Sequence, residues 1–337
     1  MSAAHVERLS LAVPWFGQAV RDAASSQRLP ALEAAAWLLA RSEGRSADRS
    51  AWREWIADRA GLGADVLRRF PAGPCAMASV STAVPEGWLA CVRPVHLLTA
   101  IDHLRLAPAD ELPLTEAEAM DLIGSLNRHL AGSEFRLHYI EPTHWVLESR
   151  RKIECDTVPP ELAIGTNVRD AMPSGIDSKR LNALVSELQM LLHGHPLNAK
   201  RLANGQAVVN SIWPWGFGRA VTNDAVELPE LLSDDHWLRG VWRLHGGRIR
   251  DIDDLWTSAA DLCRPVAIAL ARAPFTESAE SLVALESRWL APLKQALVAG
   301  RRGVNASLVL GQREFEFRGR VGWKFWSRDR SLEQFVA

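Results

Sequence analysis

The sequence predicts a mixed α/β protein, of the α+β kind in its central part, and three observations support this class. Of the 337 residues, 47% are hydrophobic and 23% are charged, which is typical of a globular chain with about two domains. Helical periodicity dominates the first 85 residues. After them, short segments with a period of two alternate with amphipathic helices, which indicates that strands and helices pack together.

Residues 1–85 are predicted to form a helical N-terminal region. The prediction depends on two runs of apolar residues at helical spacing, 29–41 and 50–59, with a polar loop between them. The cluster at 70–76 contains two prolines and a glycine, which favour a boundary soon after it.

Residues 86–205 are predicted to form an α+β domain. Thr115 and Glu118 have the spacing of a capping box, which indicates a helix from 115 to 130. A second helix, over 178–194, has leucine and valine along one face. Strands are expected at 88–92, 103–107, 135–140 and 144–148, and the last two form a hairpin.

Residues 206–337 are predicted to form a C-terminal α/β region with a terminal hairpin. A strand at 207–213 is expected to run into a glycine-rich turn, and 265–271 is expected to form a buried strand. A helix is expected over 282–297. From 315 onward, apolar residues alternate on both sides of Gly319, which predicts a hairpin that turns there.

Charge and cysteine content argue against several classes of function. The chain has 39 basic and 40 acidic side chains, so its overall charge favours neither nucleic acid nor an anionic membrane as a partner. Four cysteines show no zinc-binding spacing, and we expect neither a metal nor a cofactor. No signal peptide or transmembrane run is visible, so a cytoplasmic location is expected.

The most informative stretch is HGHPLNAKRLANGQAVVNSIWPWGFGRA, over 193–220. Glycines permit positive φ and the close approach of an anion, and the exposed backbone N–H groups of a turn suit a phosphate or a carboxylate. The alternative is a tight hydrophobic corner in which Arg201 pairs with an internal acid and Asn198 caps a backbone group. The predicted site for a small phosphorylated or carboxylate ligand consists of His195, Asn198, Arg201, Asn210, Trp213, Trp215, Gly216 and Gly218.

This stretch resembles the archaeal-type cofactor-independent phosphoglycerate mutases, which have an HPVN segment and then N-x-I-W-P-W-G-x-G. LTEAEAMDLIGSLNRHL and FRLHYIEPTHWVLES are similar to the helix and the paired strands of the domain inserted in those enzymes. The RpfE-type bacterial regulatory proteins resemble the chain more closely than the mutases do. The segments similar to their landmarks are GWLACVRPVHLLTAIDHLRL, THWVLE and LQMLLHGHPLN. The resemblance covers about 65–220, and it implies that the C-terminal part is a reduced alkaline-phosphatase-like core.

The resemblance to the mutases also implies two metal ions held by Asp and His clusters, one of them after a first strand that ends in a G-D-G-type turn. No buried strand that ends in Asp-Gly is recognisable in residues 1–85. Two-metal phosphoryl transfer needs several converging carboxylates and imidazoles. The dense candidate, formed by Asp234, Asp235 and His236, is expected to be a solvated loop. A second acidic run, Asp251, Asp253 and Asp254, is expected to begin a helix.

We therefore expect a non-catalytic regulatory or ligand-binding protein, and no catalytic residue is assigned. Fold kinship does not carry function with it, so the missing metal cluster outweighs the shared landmarks. Two alternatives stay open. One is an active metal-dependent phosphoglycerate mutase or phosphatase, and the other is a protein-interaction module that contacts a protein partner through exposed tryptophans of the N-terminal helices.

Overall fold

The α/β class predicted from the sequence is confirmed, and the described chain packs as two compact units. The first unit joins the N-terminal part, up to residue 66, with the part from 223 onward, and the second spans 67–222. The domain boundaries expected at 85 and 205 instead place the two ends of the chain in different domains. The computed structural model describes residues 8–41, 44–46, 52–63, 66–99, 104–107, 111–164, 167–221, 227–252, 265–274, 277–298, 305–311 and 313–317.

Strands and helices alternate along the chain. In chain order the strands are β1 (Arg8–Val13), β2 (Gly44–Ser46), β3 (Trp88–Val95), β4 (Leu97–Thr99), β5 (Leu104–Leu106), β6 (Phe135–Glu141), β7 (His144–Ser149), β8 (Ser211–Gly218), β9 (Glu230–Ser233), β10 (Ile249–Arg250), β11 (Val266–Ala269), β12 (Asn305–Leu310) and β13 (Arg313–Phe317). The helices are α1 (Phe16–Ser25), α2 (Glu33–Ala40), α3 (Trp52–Arg59), α4 (Val66–Arg69), α5 (Ala72–Val80), α6 (Glu116–His129), α7 (Pro160–Ala163), α8 (Ser178–His193), α9 (Pro196–Ala203), α10 (His236–Leu244), α11 (Ser278–Leu285) and α12 (Ala291–Val298). A 3₁₀ turn spans Val168–Ala171, and a π-helical turn, Glu286–Leu290, joins α11 to α12.

The first unit contains a seven-stranded sheet in the order β10-β9-β11-β1-β12-β13-β2. The first five strands in this order, from β10 to β12, are parallel to one another, whereas β13 is antiparallel to both of its neighbours, β12 and β2. Parallel strands are covered on both faces, and β1 accordingly buries Leu9, Leu11 and Val13 on one face and Ser10 and Ala12 on the other. The sequence-based prediction of a helical N-terminal region missed β1, because its partners β11 and β12 lie near the other end of the chain.

The C-terminal part of this unit agrees with several sequence-based predictions. The buried strand expected at 265–271 is β11, and the helix expected at 282–297 is formed by α11, the π turn and α12. Phe315 and Phe317 lie on β13, which forms a hairpin with β12. The hairpin expected around Gly319 lies outside the described residues.

The second unit contains a four-stranded antiparallel sheet in the order β6-β7-β3-β8. On one face α6 and α8 pack against Trp145 and Leu147, and on the other face Val146 packs with Trp213 and α5. The predicted capping box is confirmed, since Thr115 and Glu118 bond reciprocally at the start of α6. The predicted β6–β7 hairpin and the leucine-lined face of α8 are also confirmed.

The glycine-rich turn predicted after residue 213 is wrong, because Ser211–Gly218 is the edge strand β8. Leu89 faces Gly218 whereas Cys91 faces Trp215, so two residues of β8 oppose one residue of β3, as in a β-bulge. The positive φ expected at Gly216 is confirmed at +67°. The bulge keeps the segment in the sheet, whereas its glycine content alone suggests a turn.

Within the described ranges, none of the helices combines the length and the apolar character that crossing a lipid bilayer requires.

Substitution of Gly216 by Ala is expected to lower the free energy of unfolding by about 2–4 kcal/mol. An added Cβ would lie 2.6 Å from the Cβ of Ala72 and would also occupy the left-handed region. Gly205→Ala is the matched control, because Gly205 has φ +68° but nothing within 4 Å of an added Cβ. We expect that variant to lose only about 1 kcal/mol. Equal losses in urea unfolding of the two variants would contradict the close contact at Ala72.

Candidate functional site

His195 begins helix α9 and serves as its N-cap. Its Nδ1 accepts the N–H of Leu197 at 3.2 Å, and its Nε2 lies 3.0 Å from the hydroxyl oxygen of Ser125 on α6. Pro196 follows in the first turn, where the missing N–H costs no helical hydrogen bond. Both ring nitrogens of His195 therefore have partners within the second unit.

Asn198, one turn further along α9, is buried. Its Nδ2 donates to the carbonyl oxygens of Leu192 and Val209, each at 2.7 Å. Its Oδ1 accepts the N–H of Val209 at 3.0 Å. Because a buried amide is costly without partners, Asn198 fixes the end of α8 to the segment that enters β8.

Arg201 has only 1% of its surface exposed, although it carries a full charge. Its Nε donates to the carbonyl oxygen of Ala207 at 2.7 Å, and its Nη2 donates to that of Pro113 at 2.9 Å. Its Nη1 donates to Oε1 of Glu118 at 2.7 Å. Burial opposes the ionisation of Glu118, but the N–H of Thr115 and the Arg201 guanidinium hold the pKa of this carboxyl below its usual value.

The remaining predicted residues lie on or just before β8. Asn210 bonds both backbone groups of Leu97, accepting the N–H at 2.7 Å and donating to the carbonyl at 2.8 Å. Trp213 donates its Nε1–H to the carbonyl oxygen of Val158 at 2.8 Å. Trp215 belongs to the same hydrophobic cluster as Trp213.

The two glycines of the motif lie against the start of α5. The N–H of Gly216 donates to the hydroxyl oxygen of Thr157 at 3.1 Å. A Cβ at Gly218 would lie 2.2 Å from the ring of Pro71. All eight predicted residues thus fall in the second unit, between the N-cap of α9 and the end of β8, and their ligand role stays a prediction.

The parallel sheet of the first unit offers a second place for a site. In open parallel sheets, ligands bind outside the carboxyl ends of the strands. β1 ends at Val13 and is followed by Pro14 and Trp15, which supply no carboxylate. β9 ends at Ser233 and is followed by Asp234 and Asp235. The acidic side chains next to β9 are therefore the candidate metal ligands at this edge.

Asp235 is buried, and both of its carboxylate oxygens accept hydrogen bonds. Its Oδ1 accepts the N–H of Leu238 at 2.9 Å, so Asp235 is the N-cap of α10. Its Oδ2 accepts Nε–H and Nη2–H of Arg53 on α3, at 3.0 and 2.8 Å. Burial opposes ionisation, but the Arg53 guanidinium and the Leu238 N–H hold the pKa of Asp235 below its usual value.

Asp234 joins the ends of two neighbouring strands. Its Oδ1 accepts the N–H of Ala271 at 2.7 Å, and its Oδ2 accepts the N–H of Arg272 at 3.1 Å, just after β11. Burial raises the pKa of this carboxyl, although the Ala271 N–H and the Arg272 guanidinium act in the opposite direction. The solvated loop expected for Asp234 and Asp235 is wrong, because both side chains hold the fold together.

The two-metal centre implied by the resemblance does not fit the residues at this edge. Each oxygen of Asp234 and Asp235 already accepts a hydrogen bond, and the residues after β1 supply no carboxylate. Within the described ranges, no three His, Cys, Asp or Glu side chains are close enough to hold a metal ion together. Asp253 and Asp254, of the second acidic run, lie outside those ranges.

Sequence reasoning missed Arg53, the partner of Asp235. The two residues are 182 positions apart, and neither segment contains a local pattern that links them. The capping role of Asp235 could have been found, because an Asp three residues before a buried Leu at a helix start is typical of an N-cap.

Comparison with known proteins gives partial matches in sequence, and no protein-family model matches the chain. It is 30% identical over 108 residues to a probable 2,3-bisphosphoglycerate-independent phosphoglycerate mutase of Geobacter sulfurreducens, a match to 32% of this chain and 27% of that protein. It is 27% identical over 125 residues to the corresponding mutase of Methanosarcina barkeri, which covers 36% and 31% of the two chains. The match to the mutase of Methanothrix thermoacetophila is 25% identical over 153 residues, or 45% of this chain and 38% of that one. The chain therefore spans less than two fifths of the curated relatives it matches.

Two solved structures are similar over most of the chain. The structure of a protein from Pyrococcus horikoshii has a TM-score of 0.50 at 12% identity, and the match covers 93% of this chain and 87% of that one. The cofactor-independent phosphoglycerate mutase of Thermoplasma acidophilum has a TM-score of 0.43 at 13% identity, with 98% and 94% covered. The predicted relation to the cofactor-independent phosphoglycerate mutases is confirmed in sequence over about a third of the chain, whereas the resemblance to RpfE-type regulatory proteins stays a prediction.

Proposed function

We propose that this protein is a non-catalytic regulatory or ligand-binding protein related to the cofactor-independent phosphoglycerate mutases. The observation that carries the proposal is that every carboxylate oxygen of Asp234 and Asp235 accepts a hydrogen bond from within the protein. A metal ion at this edge would have to share these oxygens with the Arg53 guanidinium, the cap of α10 and the N–H groups that follow β11. Phosphoryl transfer by two metals needs ligands that are available to the ions.

The end of β1 supports the same proposal. The resemblance implies an acidic turn after the first strand, whereas this chain continues from Val13 into Pro14 and Trp15. Proline and tryptophan side chains do not ligate hard divalent cations, which prefer oxygen ligands. The central parallel strand β1 thus contributes packing to the sheet, and the two residues that follow it contribute no metal ligand.

The tryptophans of α3 give little support to the alternative of a protein-interaction module. Trp52 is buried. Trp55 is half-buried, and its Nε1–H donates to Oε1 of Glu314 on β13, at 2.8 Å. These side chains contribute to the first unit itself, so they are poor contacts for a protein partner. We infer a cytoplasmic protein whose partner is a small molecule.

The purified protein is expected not to interconvert 2- and 3-phosphoglycerate in the presence of magnesium, manganese, cobalt or zinc ions. The reason is the lack of available metal ligands among the described residues at the sheet edge. A coupled assay for the 2-phosphoglycerate product measures this, with an authentic mutase as the positive control. Turnover that a chelator abolishes and that added metal restores would show an active enzyme instead.

The substitution Asp235→Asn is expected to lower the free energy of unfolding by about 1–3 kcal/mol at pH 7. Asn keeps an oxygen to cap α10 but loses the charge that pairs with Arg53, which is 38% exposed and so stays partly hydrated. Glu277→Gln is the matched control, because the Arg28–Glu277 pair is exposed at both ends. That variant is expected to lose at most about 1 kcal/mol.

The effect of Asp235→Asn is expected to depend on pH. The folded-state pKa of Asp235 is below its unfolded value, so its stabilisation is complete above pH ~4 and is lost as pH falls through the folded-state pKa. Urea unfolding of the parent and the variant across acidic pH measures this convergence. An Asp235→Asn protein as stable as the parent at pH 7 would mean that Asp235 is available for another role.

Substitution Arg201→Lys separates a structural arginine from the anion site predicted around it. Lysine cannot reach the three acceptors held by the guanidinium, so we expect a loss of about 1–3 kcal/mol in the free energy of unfolding. Arg136→Lys, at an exposed position of β6, is the control and is expected to change little.

A thermal-shift screen with phosphorylated three-carbon acids completes the Arg201 test. If the anion site exists, one of these acids stabilises the parent, and Arg201→Lys loses that effect with little loss of its own stability. If Arg201 is structural, the variant melts at a clearly lower temperature, and the acids do not stabilise the parent.

A further inference from the structure

The second unit contains a cavity of about 550 Å³ beside helix α8. Strand β8 forms one wall, with Ile212 and Trp213. Leu97 and Leu104 of β4 and β5 form a second wall, and the 3₁₀ turn Val168–Ala171 contributes to a third. Most of the lining side chains are apolar, and the volume is in the range of pockets that enclose small organic molecules.

Helix α8 contributes a polar strip to this cavity. Asn182, Ser186 and Gln189 all line it, and their spacing of four and then three residues places them on one side of the helix. The strip lies beside the apolar face that holds Leu184 and Leu188 in the core. From first to last it extends about 10 Å along the helix axis.

Two of these side chains have hydrogen-bonding groups that the protein does not use. Gln189 donates from Nε2 to the hydroxyl oxygen of Ser211 at 2.8 Å, which fixes its amide plane and leaves Oε1 with no bond to any described residue. Oδ1 of Asn182 is buried and likewise has no partner among the described residues. Buried polar groups in native proteins are nearly always paired, so the unused Oδ1 of Asn182, which lies on the same strip as Oε1 of Gln189, points to a ligand.

The charges around the cavity restrict what it can bind. Among the described residues that line it, Arg169 is the one charged residue, and it is exposed to solvent. Apart from Arg169, the described lining residues offer no charge to a phosphate or a carboxylate. They offer an apolar surface together with fixed hydrogen-bond acceptors.

We propose that this cavity binds an uncharged, mainly apolar small molecule with hydrogen-bond donors along one edge. The apolar body packs against β8 and the 3₁₀ turn, and a hydroxyl or N–H group donates to Oε1 of Gln189. This site is independent of the sheet edge in the first unit, so it stands whether or not the chain catalyses a reaction. It also differs from the predicted anion site, which shares only Trp213 with it.

A matched pair of probes tests the proposal by isothermal titration calorimetry of the full chain. 4-Phenylphenol has a hydroxyl donor, and 4-methoxybiphenyl has nearly the same shape without one. We expect the parent to bind the phenol about fivefold more tightly, as one net hydrogen bond provides. No measurable binding of either probe up to its solubility limit, or equal affinities, would overturn the proposal.

Two pairs of variants locate the binding. Gln189→Met keeps the size of the side chain but removes the acceptor, so the preference for the phenol is expected to vanish. The control Gln206→Met, at an exposed position outside the cavity, is expected to keep the preference for the phenol.

The substitution Ser186→Trp introduces a large side chain into the cavity from an exposed position and is expected to abolish binding of both probes. Its control is Ala183→Trp, at an exposed position of the same helix outside the lining, which is expected to leave binding unchanged. Thermal melts check that each variant is folded, and unchanged binding by folded Ser186→Trp would place the probes elsewhere and overturn the proposal.

Discussion

The guanidinium of Arg201 is almost wholly removed from water, and a buried cation is tolerated only when its donors find acceptors. Glu118 provides the opposite charge, and carbonyl oxygens of Pro113 and Ala207 take the other N–H groups. Three separate segments must therefore meet at one point, namely the entry to α6, helix α9 and the chain that leads to β8. Since α9 connects α8 to β8, the two main walls of the cavity depend on this junction.

The same constraint governs the sheet edge in the first unit, where the buried group is an anion. Asp235 is stable there because Arg53 and the first turn of α10 supply donors to both oxygens. An Asp-Asp-His sequence is compatible with a metal site and with a helix cap alike, since both need a carboxylate that is held in place. The partners of the carboxylates decide between the two, and here those partners are protein N–H groups.

Features whose determinants lie within a few residues could be predicted from the sequence. Thr115 and Glu118 determine the start of α6, and the leucine spacing determines the buried face of α8. Strand β1 could not be predicted, because six residues are too short for a clear period and its partners are at the other end of the chain. Likewise, Gly216 indicated positive φ correctly, but only the distant pairing with β3 shows that it lies in a bulged strand. The cavity could not be predicted from the sequence, because its walls come from segments that are far apart along the chain.

The resemblance to the mutases and the chemistry of this chain depend on different residues. His195, Asn198 and Arg201, which carry much of the resemblance, are all bonded within the second unit. Replacing such residues leaves buried partners unpaired, so they are costly to change whether or not a chain catalyses anything. A likeness in this stretch therefore indicates shared architecture. Ligand binding depends instead on groups that the protein leaves unpaired, such as Oδ1 of Asn182 in the cavity beside α8. The carboxylates of Asp234 and Asp235 at the sheet edge, in contrast, already accept hydrogen bonds from the protein.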